Sequence, residues 1–531
     1  MSDSMKKQNF LQGTALLALA TAIVKIIGAL YKIPLNAIIG KQGFGYFNTA
    51  YEIYNVLLMI STAGLPVAMS RMISQAASLQ HYRQVRRIFA TARGIFLGLG
   101  IVGGAAMTCF CRQLAQFQNQ PDAWAAIGCL GPSVLLICIM STFRGYFQGQ
   151  GNMLPTSVSQ VLEAVVKLIV GMVAALILLK TTASVPLAAG GAILGVTASC
   201  LVSAMYLFAI FRKSFAALPD SDETPDTFSA TAKGLLIIAV PITIGSAGLQ
   251  LLTMLETKIY MGRLLASGLS QDAADDMRGI YGMTQTIFNM PCAFITPITI
   301  SIIPAITAHL TLLNHREARL TEESAARITG LISMPCGIGL AVLARPITAL
   351  LGGYTGEDLA LAATLMRILG VTVIFNAVVL VTTAIMQAHG HAGRPVINMF
   401  IGGLLKLLAV YILTGNPNIG IVGTPVGTLL CYAMIGILNL ISIRSLIPNT
   451  PAIVRNLIRS ALAAAGMGVA VYAVYCLLNR AGIGSSVLLC GVPILVGVVV
   501  YLIAAVAFKA ITREDCLLLP KGEKIANLLH L

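Results

Sequence analysis

Charge is what this sequence has least of. Of its 531 residues, 10% are Asp, Glu, Lys or Arg and 57% are hydrophobic, whereas a soluble domain carries about 25% charged residues. That balance excludes an ordinary soluble fold. Aspartate is missing where it would matter most: none of the ten lies inside an apolar run, and all read as loop or tail residues. This argues against a site that holds Na⁺, protons or organic cations on buried aspartates. Metal and haem spacings are also lacking. Eleven cysteines are scattered through apolar stretches as small buried hydrophobes, only Cys109 and Cys111 are close, and His389 with His391 supplies too few ligands. There is no G-x-S-x-G, HExxH or P-loop pattern. Neither an enzyme nor a cofactor is expected. No A-x-A-like cleavage site follows MSDSMKKQNF, so the first apolar run reads as a retained helix, not a signal peptide.

What remains is long apolar runs, and in lipid these must be helices, because each segment has to satisfy its own backbone groups. The expected fold is an all-α polytopic membrane protein of about 14 helices. Their cores fall near 12–36, 44–73, 88–111, 123–147, 155–180, 186–211, 233–258, 280–308, 328–351, 360–387, 395–414, 419–443, 456–478 and 484–508. The net charge of +15 reflects Lys and Arg concentrated in the loops of one side. By the positive-inside rule both termini are cytoplasmic, and no nucleic-acid partner is implied. The longest polar connection, 212–232, separates six helices (1–211) from the rest. A second lobe occupies 233–446, and 447–531 adds two helices and a tail.

An internal repeat crosses that connection. Gln148-x-x-Gly151, Pro155 and Lys167 are echoed by Gln387-x-x-Gly390, Pro395 and Lys406; the Gln-to-Lys interval is 19 in both, and the offset between copies is 239. Arg87-Ile88 and Arg327-Ile328 recur at 240, Pro66 and Pro304 at 238. Corresponding helices lie six apart and face the same way, as in transporters built from two rocking lobes.

Ionisable residues inside apolar runs mark functional sites by default, at about 2.5–3.5 kcal/mol each. Glu163 and Lys167 share one face of the fifth helix, four residues apart, with Lys167 roughly 18 Å from either end. Glu163 is expected to neutralise and tune Lys167, or to act as a protonatable coupling group. Lys25 lies deep in the first helix and leans toward its N-terminus; it lines a polar chamber or serves a structural ion pair. Lys406 is the repeat mate of Lys167, and its helix offers no acid. Glu52 and Arg367 lie near the outer ends of their helices, where snorkelling explains them as well as a site does. Glu256 and Lys258 read as interfacial. Arg144 is ordinary at an inner helix end, yet within RGYFQGQGN it is placed to meet an incoming anionic headgroup.

The segments GTALLALATAIVKIIGALYKIPLNAIIGKQGFGYFNTAYEIY, STAGLPVAMSRMIS, FRGYFQGQGNMLPTSVSQVLEAVVKL and ASGLSQDAADDMRGIYGMTQTIFNMPCAFITPITISIIPAI resemble the stage V sporulation protein B and YtgP group of polysaccharide-biosynthesis proteins. That group sits in the MOP superfamily with MurJ-like lipid II flippases and MATE exporters. The resemblance implies 14 helices, two lobes and alternating access. It also implies movement of an undecaprenyl-linked sugar, with lipid II foremost, from the cytoplasmic to the outer leaflet of a bacterial cell membrane. Lys25 falls where MurJ-like proteins carry a basic residue, before a Gly matched by Gly28. Glu163 and Lys167 match the positions after PT-x-x-SQ. MurJ-like proteins carry an Arg and a Glu in helix 8 before a Pro, where this sequence has Thr286 and Asn289.

Three functions stand open on these grounds. The first is a flippase whose chamber of Lys25, Lys167 and Lys406, less Glu163, stabilises a lipid diphosphate. The second is a cation-coupled drug exporter of MATE type. The third is a non-transporting scaffold for cell-wall synthases. The expected partners are the lipid-linked saccharide, the bilayer and, as candidates, cell-wall synthases.

Overall fold

A computed structural model describes residues 10–447, 450–482, 484–508 and 510. The N-terminal lysines and the tail beyond 510, both counted above in setting orientation, lie outside these. Among the described residues every regular element is a helix. Eight precede the later half of the chain: α1 (Phe10–Thr62), α2 (Leu65–Ser78), α3 (Tyr82–Cys109), α4 (Cys111–Phe117), α5 (Trp124–Gly149), α6 (Leu154–Thr182), α7 (Val185–Ala216) and α8 (Phe228–Ala266). They are followed by α9 (Gln271–Thr311), α10 (His315–Val342), α11 (Ala344–Gly352), α12 (Gly356–Ala388), α13 (Gly393–Thr414), α14 (Gly423–Leu446), α15 (Ile453–Arg480) and α16 (Ser486–Ala507). Twelve stretches among the described residues are long and apolar enough to cross a membrane, and the protein is a multi-pass membrane protein.

α1 merges two of the expected helices. The break is a single residue, Gly40, whose φ of 70° is the left-handed conformation that only glycine adopts freely. Pro34, read from sequence as the end of the first helix, lies inside it. The expected helix 44–73 is interrupted after Thr62, and Pro66 opens α2. Its supposed repeat mate, Pro304, lies inside the helix α9, so that match carries no structural equivalence. At Gly64, between α1 and α2, a Cβ would stand 2.2 Å from the Ala239 carbonyl oxygen of α8; only hydrogen fits there.

Packing divides the chain into two compact units, Met1–Gly279 and Ile280–Leu531. The division falls inside α9, later than the 212–232 connection. Within the first unit α3 packs on α5, α5 on α7, and α6 on α7; within the second α10 packs on α12, α12 on α14, and α13 on α14. The pairings repeat in the same order. So does the turn that the sequence flagged. Gly151 (φ 75°) takes a conformation that favours glycine after α5, and its N–H donates to the Gln148 carbonyl at 3.0 Å; Gly390 (φ 81°) does the same to Gln387 after α12, also at 3.0 Å. In both copies the following N–H, of Asn152 or His391, reaches back five residues to Phe147 or Met386, the hydrogen bonding of a glycine C-cap.

The polar connection is docked, not loose. Ser221 Oγ accepts from the Tyr82 and Arg83 N–H groups at 3.0 and 3.1 Å, and Glu223 Oε1 accepts from Gln84 N–H at 2.9 Å. These are first-turn donors of α3, which have no partner inside the helix; His81, at the N-cap, supplies no side-chain bond. Arg86 adds an ion pair to Asp220 at 3.1 Å, and Gln84 exchanges two hydrogen bonds of 2.8 Å with Asp226.

Candidate functional site

Two groups of helix-borne charges stand out in the first unit. The first joins α5 to α6. Arg144 Nε donates to Ser159 Oγ at 3.0 Å, and its Nη2 meets Glu163 Oε2 at 3.1 Å. Ser159 and Glu163 lie one turn apart on α6, so a single planar guanidinium bridges both. This corrects the expected Glu163–Lys167 pair: Glu163 is taken by Arg144, which reaches across from the neighbouring helix. Arg144 is therefore a seam residue, not a loosely placed arginine at a helix end.

The second group surrounds Glu52 on the second limb of α1. Arg278 Nη2 bonds Glu52 Oε1, with the guanidinium carbon 5.6 Å from the Tyr260 ring centroid. Arg278 is 0% exposed and Glu256 of α8 is 2% exposed; Glu52 is within electrostatic reach of Glu256. Glu256 is thus buried within the protein near Glu52, and Glu52 is held by Arg278. Lys258 holds its ammonium 3.5 Å over the Phe117 ring. Lys32, half-buried on the first limb of α1, lies within reach of Lys167, Arg278 and Glu52. Two tyrosines of α1, Tyr51 and Tyr54, lie near Glu163 and so join the two groups.

Glycines make this convergence possible. A Cβ on Gly279 would lie 1.7 Å from the Lys41 carbonyl oxygen, so the start of α9 lies directly on α1 and carries Arg278 to Glu52. An ion pair of 2.9 Å, Lys41 to Asp276, fastens the same contact. A Cβ on Gly195 of α7 would stand 2.9 Å from the Lys167 carbonyl oxygen; in the second unit one on Gly427 of α14 would stand 3.3 Å from that of Lys406. The two repeat lysines therefore occupy the same kind of helix seam.

The copies differ in what fills it. At the offset of 239, Arg144, Ser159 and Glu163 correspond to Thr383, Asn398 and Gly402. There Asn398 Nδ2 donates to Asn439 Oδ1 at 2.8 Å, and Asn439 Nδ2 donates to Thr382 and Thr383 at 3.0 and 3.3 Å. The first unit has an ion pair where the second has a neutral amide ladder.

The remaining expected residues fall elsewhere. Lys25 is exposed, two turns before Lys32 on α1. Lys406 is half-buried in the second unit. Arg367 is exposed on α12 of the second unit, within reach of the exposed Tyr472 on α15. His389 does not pair with His391 as a metal site would require; its Nε2 lies 2.6 Å from the buried Glu322. No group of three or more His, Cys, Asp or Glu side chains able to hold a metal occurs among the described residues.

Lys32 and Arg278 were missed by sequence reasoning. Lys32 looked terminal because Pro34 suggested a helix end. Arg278 looked like loop because the eighth helix was started at 280. A signal was present: Ser270 followed by Asp272 marks a helix start at 271, and Ser270 Oγ does accept from Ala273 N–H at 3.3 Å. Likewise Asp272, Asp275 and Asp276 are helical, not loop, and Asp275 is buried against Tyr46, Gln120 and Gln271.

Known proteins share this architecture. Three proteins of Bacillus subtilis (strain 168) resemble the chain in sequence. The uncharacterized membrane protein YabM is 25% identical over 100% of this chain and 99% of its own length. Stage V sporulation protein B is 25% identical over 84% and 85%. The lipid II flippase MurJ is 24% identical over 75% and 76%. Among solved structures, a lipid II flippase MurJ in an inward closed conformation superposes with a TM-score of 0.69 at 14% identity, covering 93% of this chain and 98% of that one. An inward-facing multidrug resistance MATE family transporter of the MOP superfamily gives 0.66 at 15% identity, covering 81% and 94%. These likenesses show a shared fold. The family model described as polysaccharide biosynthesis protein matches residues 10–309, more than half of the sequence, and the chain belongs to that family.

Proposed function

We propose that this protein is a flippase that moves an undecaprenyl-diphosphate-linked saccharide from the inner to the outer leaflet by alternating access, with lipid II as the substrate to test first. The observation that carries the reading is the grouping of Lys167, Arg278 and Glu52 about Lys32 within the helices of one unit. Three cations near one paired and one further carboxylate, Glu256, leave positive charge over. In a site of low dielectric that surplus stabilises a diphosphate far more than it would in water. Lysine supplies a point charge suited to phosphate. Lys25 would receive the headgroup on its way in, and Lys406 would act for the second unit. Each charge carried across is worth about 2.3 kcal/mol per 100 mV, so the membrane potential is a sufficient energy source without nucleotide. The termini would then be cytoplasmic, as the loop charges imply.

Glu163 is committed to Arg144, and Glu52 to Arg278. Carboxylates so paired are poorly placed to carry a drug cation, which favours the flippase over the exporter. The test is purified protein in vesicles loaded with lipid II or with a non-peptidoglycan lipid-linked sugar. Lys32→Ala and Lys167→Ala should abolish arrival of the transported lipid in the outer leaflet while insertion stays normal. Unchanged movement by both variants would end the proposal and leave the scaffold reading.

A further inference from the structure

A second candidate site is lined by other residues of the first unit. α3, α5 and α7 enclose a cavity of about 350 Å³. Its walls are aromatic: Phe89 stacks on Phe211 at 4.4 Å between ring centroids, and Phe143 lies 5.0 Å from Phe211 and 6.1 Å from Phe208. The rim is open, with Met205 64% and Phe208 50% exposed. One lining residue is charged. Arg93, one turn after Phe89 on the same face of α3, is exposed at the opening.

Arg93 cannot lose its charge, and among the described residues no acid or aromatic face partners it. Its neighbours are engaged: Arg86 holds Asp220, and Arg87 lies 4.0 Å over the Phe228 ring. Arg93 stands eleven residues after Tyr82, roughly 16 Å along the helix. Its side chain leans back toward that end, where Arg212 and Lys213 are also exposed. A guanidinium at the mouth of an apolar slot, facing a basic helix end, fits an amphiphile with one negative charge.

We propose that this cavity binds an anionic glycerophospholipid, its phosphodiester on Arg93 and one acyl chain among Phe89, Phe143, Phe208 and Phe211. A single guanidinium matches the single charge of a phosphodiester. A polyprenyl diphosphate would leave charge unmet here, unlike at the Lys32–Lys167–Arg278 cluster. The site is thus a lipid-binding slot on the first unit, distinct in its lining from the Lys32–Lys167–Arg278 group.

The test is native mass spectrometry of the purified full-length protein with phosphatidylglycerol, phosphatidylcholine or undecaprenyl diphosphate. Phosphatidylglycerol should be retained over phosphatidylcholine. Arg93→Gln should lower its retention about tenfold, as loss of a charge-assisted bond implies, and Arg93→Lys should restore much of it. Met205→Trp, at the exposed rim, should close the slot and reduce retention without unfolding the protein, checked by thermal melting. Equal retention of the two phospholipids overturns the proposal. So does wild-type retention by both Arg93→Gln and Met205→Trp, or capture of undecaprenyl diphosphate in place of phosphatidylglycerol at this site.

Discussion

Arg144 and Glu163 face each other across the α5–α6 seam at 3.1 Å, with side chains 15% and 24% exposed. An ion pair in this setting gains from its partner chiefly by avoiding an uncompensated charge. Arg144→Ala should therefore lower stability by about 2 kcal/mol, below the 3–5 kcal/mol of fully buried pairs because water still reaches both groups. Arg144→Ala with Glu163→Gln should recover most of the loss. Unfolding of both variants in detergent decides this, and a double variant as unstable as the single one would show that the pair matters only for packing.

Arg278 and Glu52 make the more demanding pair, since the arginine side chain is 1% exposed. Arg278→Ala strands Glu52 next to Glu256 and should cost about 3–5 kcal/mol. Arg278→Lys keeps the charge but loses the planar fork. It should fold better than the alanine variant and move lipid more slowly than wild type. Cell-surface yield measured beside vesicle transport separates the two effects. A fully active, fully stable alanine variant would remove Arg278 from the site.

How far the sequence disclosed this site can be judged from these residues. Hydropathy made the helical membrane fold plain, and the Gln-x-x-Gly turns revealed the duplication because a glycine C-cap has a strict backbone requirement. Lys167 was legible because a charge in an apolar run has few explanations, and Arg144 only through its RGYFQGQGN context. Their partners were not. Glu163 lies equally well placed for Lys167 within its helix and for Arg144 across the seam, and only the packing of α5 on α6 selects the second. Lys32 and Arg278 were hidden by helix limits set at 36 and at 280. The burial of Glu256 was not legible because it depends on the helices packed against α8 and not on its own stretch of sequence.

Gly279 and Gly28 offer a contrast that tests the packing argument. A Cβ at Gly279 would collide with the Lys41 carbonyl, whereas one at Gly28 meets nothing within 4 Å. Gly279→Ala should push the start of α9 off α1, break Lys41–Asp276 and Glu52–Arg278 together, and abolish transport. Gly28→Ala should leave yield and transport near wild type, with a small gain from helix propensity of about 1 kcal/mol at most. Similar behaviour of the two variants would refute the close contact drawn at Gly279.

The docked connection predicts a pH dependence outside the membrane. Glu223 accepts hydrogen bonds at the N-terminus of α3, and those from Ser221 and from backbone N–H groups outweigh desolvation and hold its carboxyl down at about 2, from an ordinary 4.5. A carboxyl with a depressed folded-state pKa stabilises docking above its unfolded value. Docking should therefore be intact above about pH 4.5 and weaken as pH falls toward 2. Hydrogen exchange at the Tyr82, Arg83 and Gln84 amides reads this directly: protection should fall across that window. Glu223→Gln should flatten the dependence and raise exchange at neutral pH by a few-fold, because the amide no longer complements the positive end of the helix. Protection factors in wild type, corrected for intrinsic exchange, that stay constant between pH 4.5 and 2, or a variant as protected as wild type, would mean that Ser221 and the Arg86–Asp220 pair hold the connection without help from the Glu223 charge.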